Sequence, residues 1–279
     1  MKLKMIALVA TLAATTSVTA TIQPGSTGNG ELFVSVFDNT AKISYTYDMG
    51  VTMDDFFVAA QANAGYDKTW NFNDANFASF LGQVTASNLR WAVLAADSFG
   101  PTSAGGQRLF TTVRAGSTAA DIASPTNVNF SNGIGSSQLG TFLNDVNQTG
   151  THATQADGSS VNAETDAGRT YFGEAGGTGP SFNSNFATLR LDSAVGESTS
   201  FYYLTRSGVA QTGIVLVDQF DNLGTDGSSK KGVFALTGGP AGYKLNYNLQ
   251  PVPEPGTYAL MLAGLGCIGL IARRRQQLR

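Results

Sequence analysis

Histidine and cysteine each occur once in the 279 residues, as His152 and Cys267. Metal centres assembled from several His or Cys ligands are therefore excluded, and no internal disulfide can form. Charge is scarce as well: 13% of residues are Asp, Glu, Lys or Arg, against 42% hydrophobic. That balance is too apolar for a disordered chain, and the apolar runs are too interrupted for a polytopic membrane protein. The Ala/Leu/Glu/Lys mixture of helical proteins is missing too. In its place stand 33 Gly, 30 Thr, 23 Ser and 18 Asn, a bias toward turns and β-structure that argues against a helix bundle or coiled coil.

The two ends of the chain read as addresses. Lys2 and Lys4 precede an apolar run from Met5 to Ala14, and Val18, Thr19 and Ala20 supply the small residues a signal peptidase needs. Residues 1–20 are thus expected to be a signal peptide handled by the Sec translocon and cut by signal peptidase after Ala20. At the far end Val252, Pro253, Glu254 and Pro255 lead into an uncharged stretch from Tyr258 to Ala272, followed by Arg273, Arg274 and Arg275. Fifteen residues make about 22 Å of helix, short of the ~30 Å hydrocarbon core, so a span over 257–272 needs local thinning or snorkelling arginines. The arginine triplet favours the cytoplasmic side, and the signal peptide then places residues 21–251 outside the inner membrane.

This C-terminus resembles the PEP-CTERM sorting signal of Gram-negative bacteria, on Pro253-Glu254-Pro255, the glycine-rich apolar stretch and the arginine triplet. The resemblance covers about a tenth of the chain, residues 252–279. It implies processing near the motif by exosortase, a membrane-embedded cysteine transpeptidase, in an organism that makes exopolysaccharide. Two prolines hold the segment beside the membrane extended and poor in hydrogen bonds, the conformation a processing enzyme can grip. No LPxTG motif is present for a wall sortase, and a GPI tail would not end in arginines. The string Gly264-Leu265-Gly266-Cys267-Ile268-Gly269 mimics a dinucleotide fingerprint but follows no strand and opens no βαβ unit; Cys267 reads as a small packing residue.

Between the addresses lie eleven basic and nineteen acidic residues, a net charge of −8 with no basic run longer than Lys230-Lys231. A nucleic-acid backbone would find nothing to displace its counterions, so nucleic acid is not an expected partner. Strand patterns recur at 32–37, 41–47, 89–95, 108–114, 188–191, 200–205, 214–217, 233–236 and 243–249. In the last, Tyr243, Leu245, Tyr247 and Leu249 alternate with Lys244, Asn246 and Asn248, placing four apolar side chains on one face. Many short strands spaced by Gly, Asn and Asp point to a mainly β ectodomain over 21–251, an antiparallel β-sandwich or jelly roll. Short helices are expected at 56–64 behind Thr52, at 75–84 behind Asp74 and at 138–146 behind Ser136, covering sheet edges or ends. Residues 150–168 have almost no large apolar side chain and read as an exposed loop carrying His152 at the surface.

Candidate chemistry is thin. A serine-hydrolase triad would have to use His152, and no Gly-x-Ser-x-Gly elbow accompanies it. Glycoside hydrolysis needs two suitably spaced carboxylates, and the ectodomain has only four glutamates, Glu31, Glu164, Glu174 and Glu197, any of which could pair with an aspartate. Asp218, Asp221 and Asp226 offer oxygen ligands for calcium, but EF-hand spacing is absent and hairpin turn geometry accounts for them more simply. Aromatic residues such as Trp91, Tyr45 and Tyr47 belong in a β core. Trp70, beside Lys68, Asn71 and Asn73, is the best candidate for a platform stacking on sugar. The sequence reading is therefore a non-enzymatic, exosortase-sorted cell-surface or extracellular protein working with an exopolysaccharide or biofilm matrix and requiring no cofactor. A carbohydrate-binding β-module is the alternative, and a polysaccharide-modifying hydrolase comes third.

Overall fold

The computed structural model describes residues 21–26, 28–136, 138–173, 185–223, 229–239 and 242–251. Twelve strands form one curled antiparallel sheet: β1 (Glu31–Asp38), β2 (Ile43–Thr52), β3 (Asp67–Phe72), β4 (Arg90–Asp97), β5 (Arg108–Thr112), β6 (Ser159–Ala163), β7 (Ser193–Ala194), β8 (Ser198–Thr205), β9 (Leu216–Gln219), β10 (Asp221–Leu223), β11 (Ser229–Gly239) and β12 (Gly242–Pro251). The main path runs β3-β12-β11-β8-β5-β4-β1-β2-β6, with β7, β9 and β10 paired to β4, β8 and β11. The mainly β, antiparallel class read from the sequence is the one that forms, and its strands join in a single sheet.

Period-two alternation distributes the strand side chains between two cores. On β1, Leu32, Val34 and Val36 enter an aromatic inner core, whereas Phe33 and Phe37 face a second core on the other side. On β4, Trp91, Val93 and Ala95 point inward, and Ala92, Leu94 and Ala96 outward. Every residue of β1 is consequently buried, and its apolar content is nearly continuous because both faces are covered. The inner core is rich in edge-to-face ring pairs, with Phe56 and Tyr247 at 4.8 Å, Phe110 and Phe220 at 4.8 Å and Phe201 and Phe234 at 4.8 Å. On β12, Tyr243, Leu245, Tyr247 and Leu249 all pack into it, as the alternation requires.

Among the described residues five α-helices accompany the sheet: α1 (Met53–Ala62), α2 (Ala75–Leu81), α3 (Ala119–Ile122), α4 (Asn127–Ile134) and α5 (Leu139–Val146). Thr52 and Asp74 cap α1 and α2 by accepting the amides of Asp55 and Phe77. The cap expected at Ser136 does not form: α5 begins behind Gln138, whose side chain makes no capping bond. Helices α4 and α5 lie over a sheet face, not an edge, because Phe130, Ile134, Phe142 and Val146 must cover Phe33, Phe37 and Leu94.

Three further expectations are corrected. Residues 188–191 form no strand with the described residues; Leu189 and Leu191 are apolar because they fill the second core. The strand expected at 214–217 lies two residues later, as β9. The stretch 150–168, expected to be an exposed loop, contains β6, which pairs with β2 from Tyr47↔Ser159 to Ile43↔Ala163. Small residues there serve close approach. A Cβ on Gly158 would sit 2.5 Å from the Cα of His152, so the turn before β6 closes only around glycine.

Candidate functional site

The sheet curls until its terminal strand β3 comes opposite the far half of β2. There the ladder stops: β2 pairs with β6 only as far as Tyr47, and the outer edge of β3 has no strand partner among the described residues. The indole Nε1 of Trp70 spans the gap, donating to the Met49 carbonyl at 3.0 Å. A polar groove of about 460 Å³ remains between the two strands, lined by residues that include Tyr47, Gly50, Lys68, Asn71, Asn73 and Asp157. Its volume is in the range of ligand clefts, roughly 300–1,000 Å³.

Trp70 does border this groove, with its polar neighbours Lys68, Asn71 and Asn73. The residue, however, is only 6% exposed, its ring lying 6.0 Å from Phe234 and beneath the Lys68 Nζ at 5.2 Å from the ring centre. The aromatic with free surface here is Tyr47, half-buried, with Tyr45 stacked at 6.3 Å and Phe72 at 5.4 Å fixing its ring. Burial above all, and then the charge of Asp157, pushes the Tyr47 phenol up to about 12, so it stays a neutral donor and acceptor at physiological pH. Gly50 adopts φ +63°, and a Cβ there would approach the Asp157 Oδ1 to 2.5 Å, so glycine keeps the groove open at this point.

Behind the groove lie two buried carboxyls. Asp48 is fully buried; its Oδ1 accepts the Gly50 amide at 2.9 Å, and its Oδ2 has no hydrogen-bond partner among the described residues. Burial, followed by the charge of Glu31, pushes Asp48 up to about 8. Glu31, 8% exposed and accepting the Gln23 amide at 3.2 Å, is raised by burial as well. Lys68 is lowered by burial, against the opposing charge of Asp157. The spacing Tyr47-Asp48-Met49-Gly50 carries a signal in retrospect: an acid on the opposite face from Tyr47 in a strand covered on both sides has to be buried.

His152 is not at the surface. It is 0% exposed, and burial pushes it down to about 4, against an opposing contribution from the Thr46 backbone. A histidine neutral in the fold and protonated in the unfolded chain stabilises the protein above pH ~6.5, and that contribution is lost as pH falls toward 4. We predict that His152→Leu shifts the acid unfolding midpoint downward; a midpoint that stays put or rises would show that His152 is not the acid-sensitive group. Nothing here resembles a triad base, which must reach both a nucleophile and substrate.

Of the three aspartates considered for calcium, two fall among the described residues. Asp218 is exposed on β9, Asp221 on β10 pairs with the Lys231 Nζ at 3.6 Å, and Asp226 lies outside the described residues. Strands β9 and β10 flank the buried Phe220, the corner where the chain passes from β8 to β11. Among the described residues no group of three or more His, Cys, Asp or Glu could hold a metal ion.

The termini complete the picture. Ala20, Val252 to Pro255, Cys267 and Arg273 to Arg275 lie outside the described residues, and among the described ones no helix is long and apolar enough to cross a membrane. Strand β12, held between β3 and β11, is paired to its last residue, Pro251 opposite Lys230. A mainly β domain that hands its final strand directly to Val252-Pro253-Glu254-Pro255 has the plan of a domain with a C-terminal sorting tail. Residues 251–276 match the family model of the PEP-CTERM protein-sorting motif, so this segment of the chain carries such a motif. The match supports an exported protein carrying a membrane-anchored sorting signal read by exosortase. No curated protein and no solved structure matches the chain.

Proposed function

We propose that residues 21–251 form a non-enzymatic ectodomain, exported through Sec with cleavage after Ala20. It is held by the 257–272 segment on the periplasmic side of the inner membrane and released by exosortase to the cell surface or the exopolysaccharide matrix. The observation that carries this reading is the sorting-motif match beginning at Pro251, the last described residue of the β ladder. Five residues, 252–256, separate the domain from the 257–272 segment and reach at most about 18 Å fully extended. Processing therefore takes place on a folded domain held close to the membrane. In the producing organism the processed protein should co-fractionate with exopolysaccharide and move to the soluble medium when polysaccharide synthesis is disabled. An unchanged distribution in such cells would refute the matrix association.

A second reading, direct binding of carbohydrate by the domain, is favoured by the groove between β2 and β3, where an immobilised tyrosine ring adjoins solvent-facing amides.

A further inference from the structure

We propose that the β2–β3 groove binds an uncharged, hydroxyl-rich glycan, with Tyr47, not Trp70, as the stacking surface and Asn71, Asn73 and Asp157 as hydroxyl partners. This deepens the carbohydrate-binding reading and rests on it. The choice of aromatic follows from packing. Trp70 has Phe234 on its ring, Lys68 above it and its N–H committed to Met49, whereas Tyr47 keeps exposed surface and a ring held in place by Tyr45 and Phe72. A ring already immobilised loses little entropy when a sugar settles on it.

The polar complement suits hydroxyl groups. Asn71, Asn73 and Asp157 are exposed in the groove, and none is engaged in a side-chain hydrogen bond or ion pair among the described residues. Each amide offers a donor pair and an acceptor, and the carboxylate offers acceptors only, so together they match vicinal hydroxyls that both give and take hydrogen bonds. Phosphates or uronates are poorly matched. One lysine and one aspartate leave the groove near neutral, and an ectodomain carrying −8 repels a polyanion at low ionic strength. The edge of β3 that has no strand partner among the described residues adds backbone donors and acceptors along the same wall.

Two tryptophans allow a local readout, since Trp91 is fully buried away from the groove while Trp70 forms part of its wall. The experiment titrates full-length protein in a zwitterionic detergent with cellohexaose, laminarihexaose and polygalacturonate, after a neutral-glycan array has identified further probes. We expect a neutral oligosaccharide to change the emission of Trp70, a change absent from Trp70→Phe. Calorimetry should show binding weakened about tenfold or more by Tyr47→Ala, weakened severalfold by the exposed-site variant Asn71→Ala, and retained in Tyr47→Phe. Neutral-glycan binding that survives both Tyr47→Ala and Asn71→Ala would overturn the groove while leaving carbohydrate binding standing. Preference for polygalacturonate would overturn the ligand class, and no binding to any array member would remove both readings.

Discussion

Replacing Pro253, Glu254 and Pro255 together by alanine is expected to leave the protein exported and folded but retained in the inner membrane, with release to the surface or medium falling to background. Anchoring and processing depend on different parts of the tail. The membrane free energy lies in the uncharged stretch from Tyr258 to Ala272 and the arginines after it, which the substitution leaves intact. The prolines instead contribute fixed φ angles and no backbone N–H donor, properties that alanine lacks, and Glu254 supplies the charge of the motif. The domain itself should not change, because the substituted positions follow Pro251, the last described residue of β12. Fractionation with circular dichroism on the retained protein separates the effects. Release at the wild-type level would show that the motif is not the processing signal.

The second large effect concerns the carboxyl behind the groove. Asp48 is fully buried with one oxygen unpartnered, and burial together with the neighbouring Glu31 and Asp157 raises its pKa to about 8. A folded-state pKa above the unfolded value favours the fold at low pH, where both states hold the proton, and stability is lost as pH rises from about 4 to about 8. Each pKa unit is worth about 1.4 kcal/mol. Asp48→Asn keeps the acceptor for the Gly50 amide and removes the ionisation. It should stabilise the protein at pH 8 by on the order of 2–4 kcal/mol, raising Tm by roughly 5–10 °C. Thermal melts between pH 5 and 9 read this directly: relative to the variant, the wild type should lose Tm steadily up to about pH 8 and level off above it. Parallel curves would mean that Asp48 does not titrate in this window.

What the sequence made legible follows from how each element is stabilised. Strands with their own alternation, such as β12 with Tyr243, Leu245, Tyr247 and Leu249, are readable because one face alone specifies them. Helices α1 and α2 announce themselves through Thr52 and Asp74, whose capping bonds are local. By contrast β6 reads as loop: Ser159, Ser160 and Asn162 are buried by backbone pairing to β2 and by close glycine turns, and these long-range contacts leave no hydrophobic pattern. His152 was misplaced for the same reason. At the groove, Trp70 and its polar neighbours stand out in the sequence, but the choice between Trp70 and Tyr47 depends on which ring the curled sheet covers, a tertiary matter. The sorting tail is the opposite case, a linear motif whose matched residues 251–276 carry their meaning without the fold.

The most direct measurement is the intact mass of the protein recovered from the cell surface or medium of its native host. Export followed by exosortase processing predicts a chain that begins at Thr21 and ends within residues 252–257, so that it retains β12 and has lost the apolar stretch and the arginine triplet. A recovered chain that still carries Arg273, Arg274 and Arg275 would contradict it.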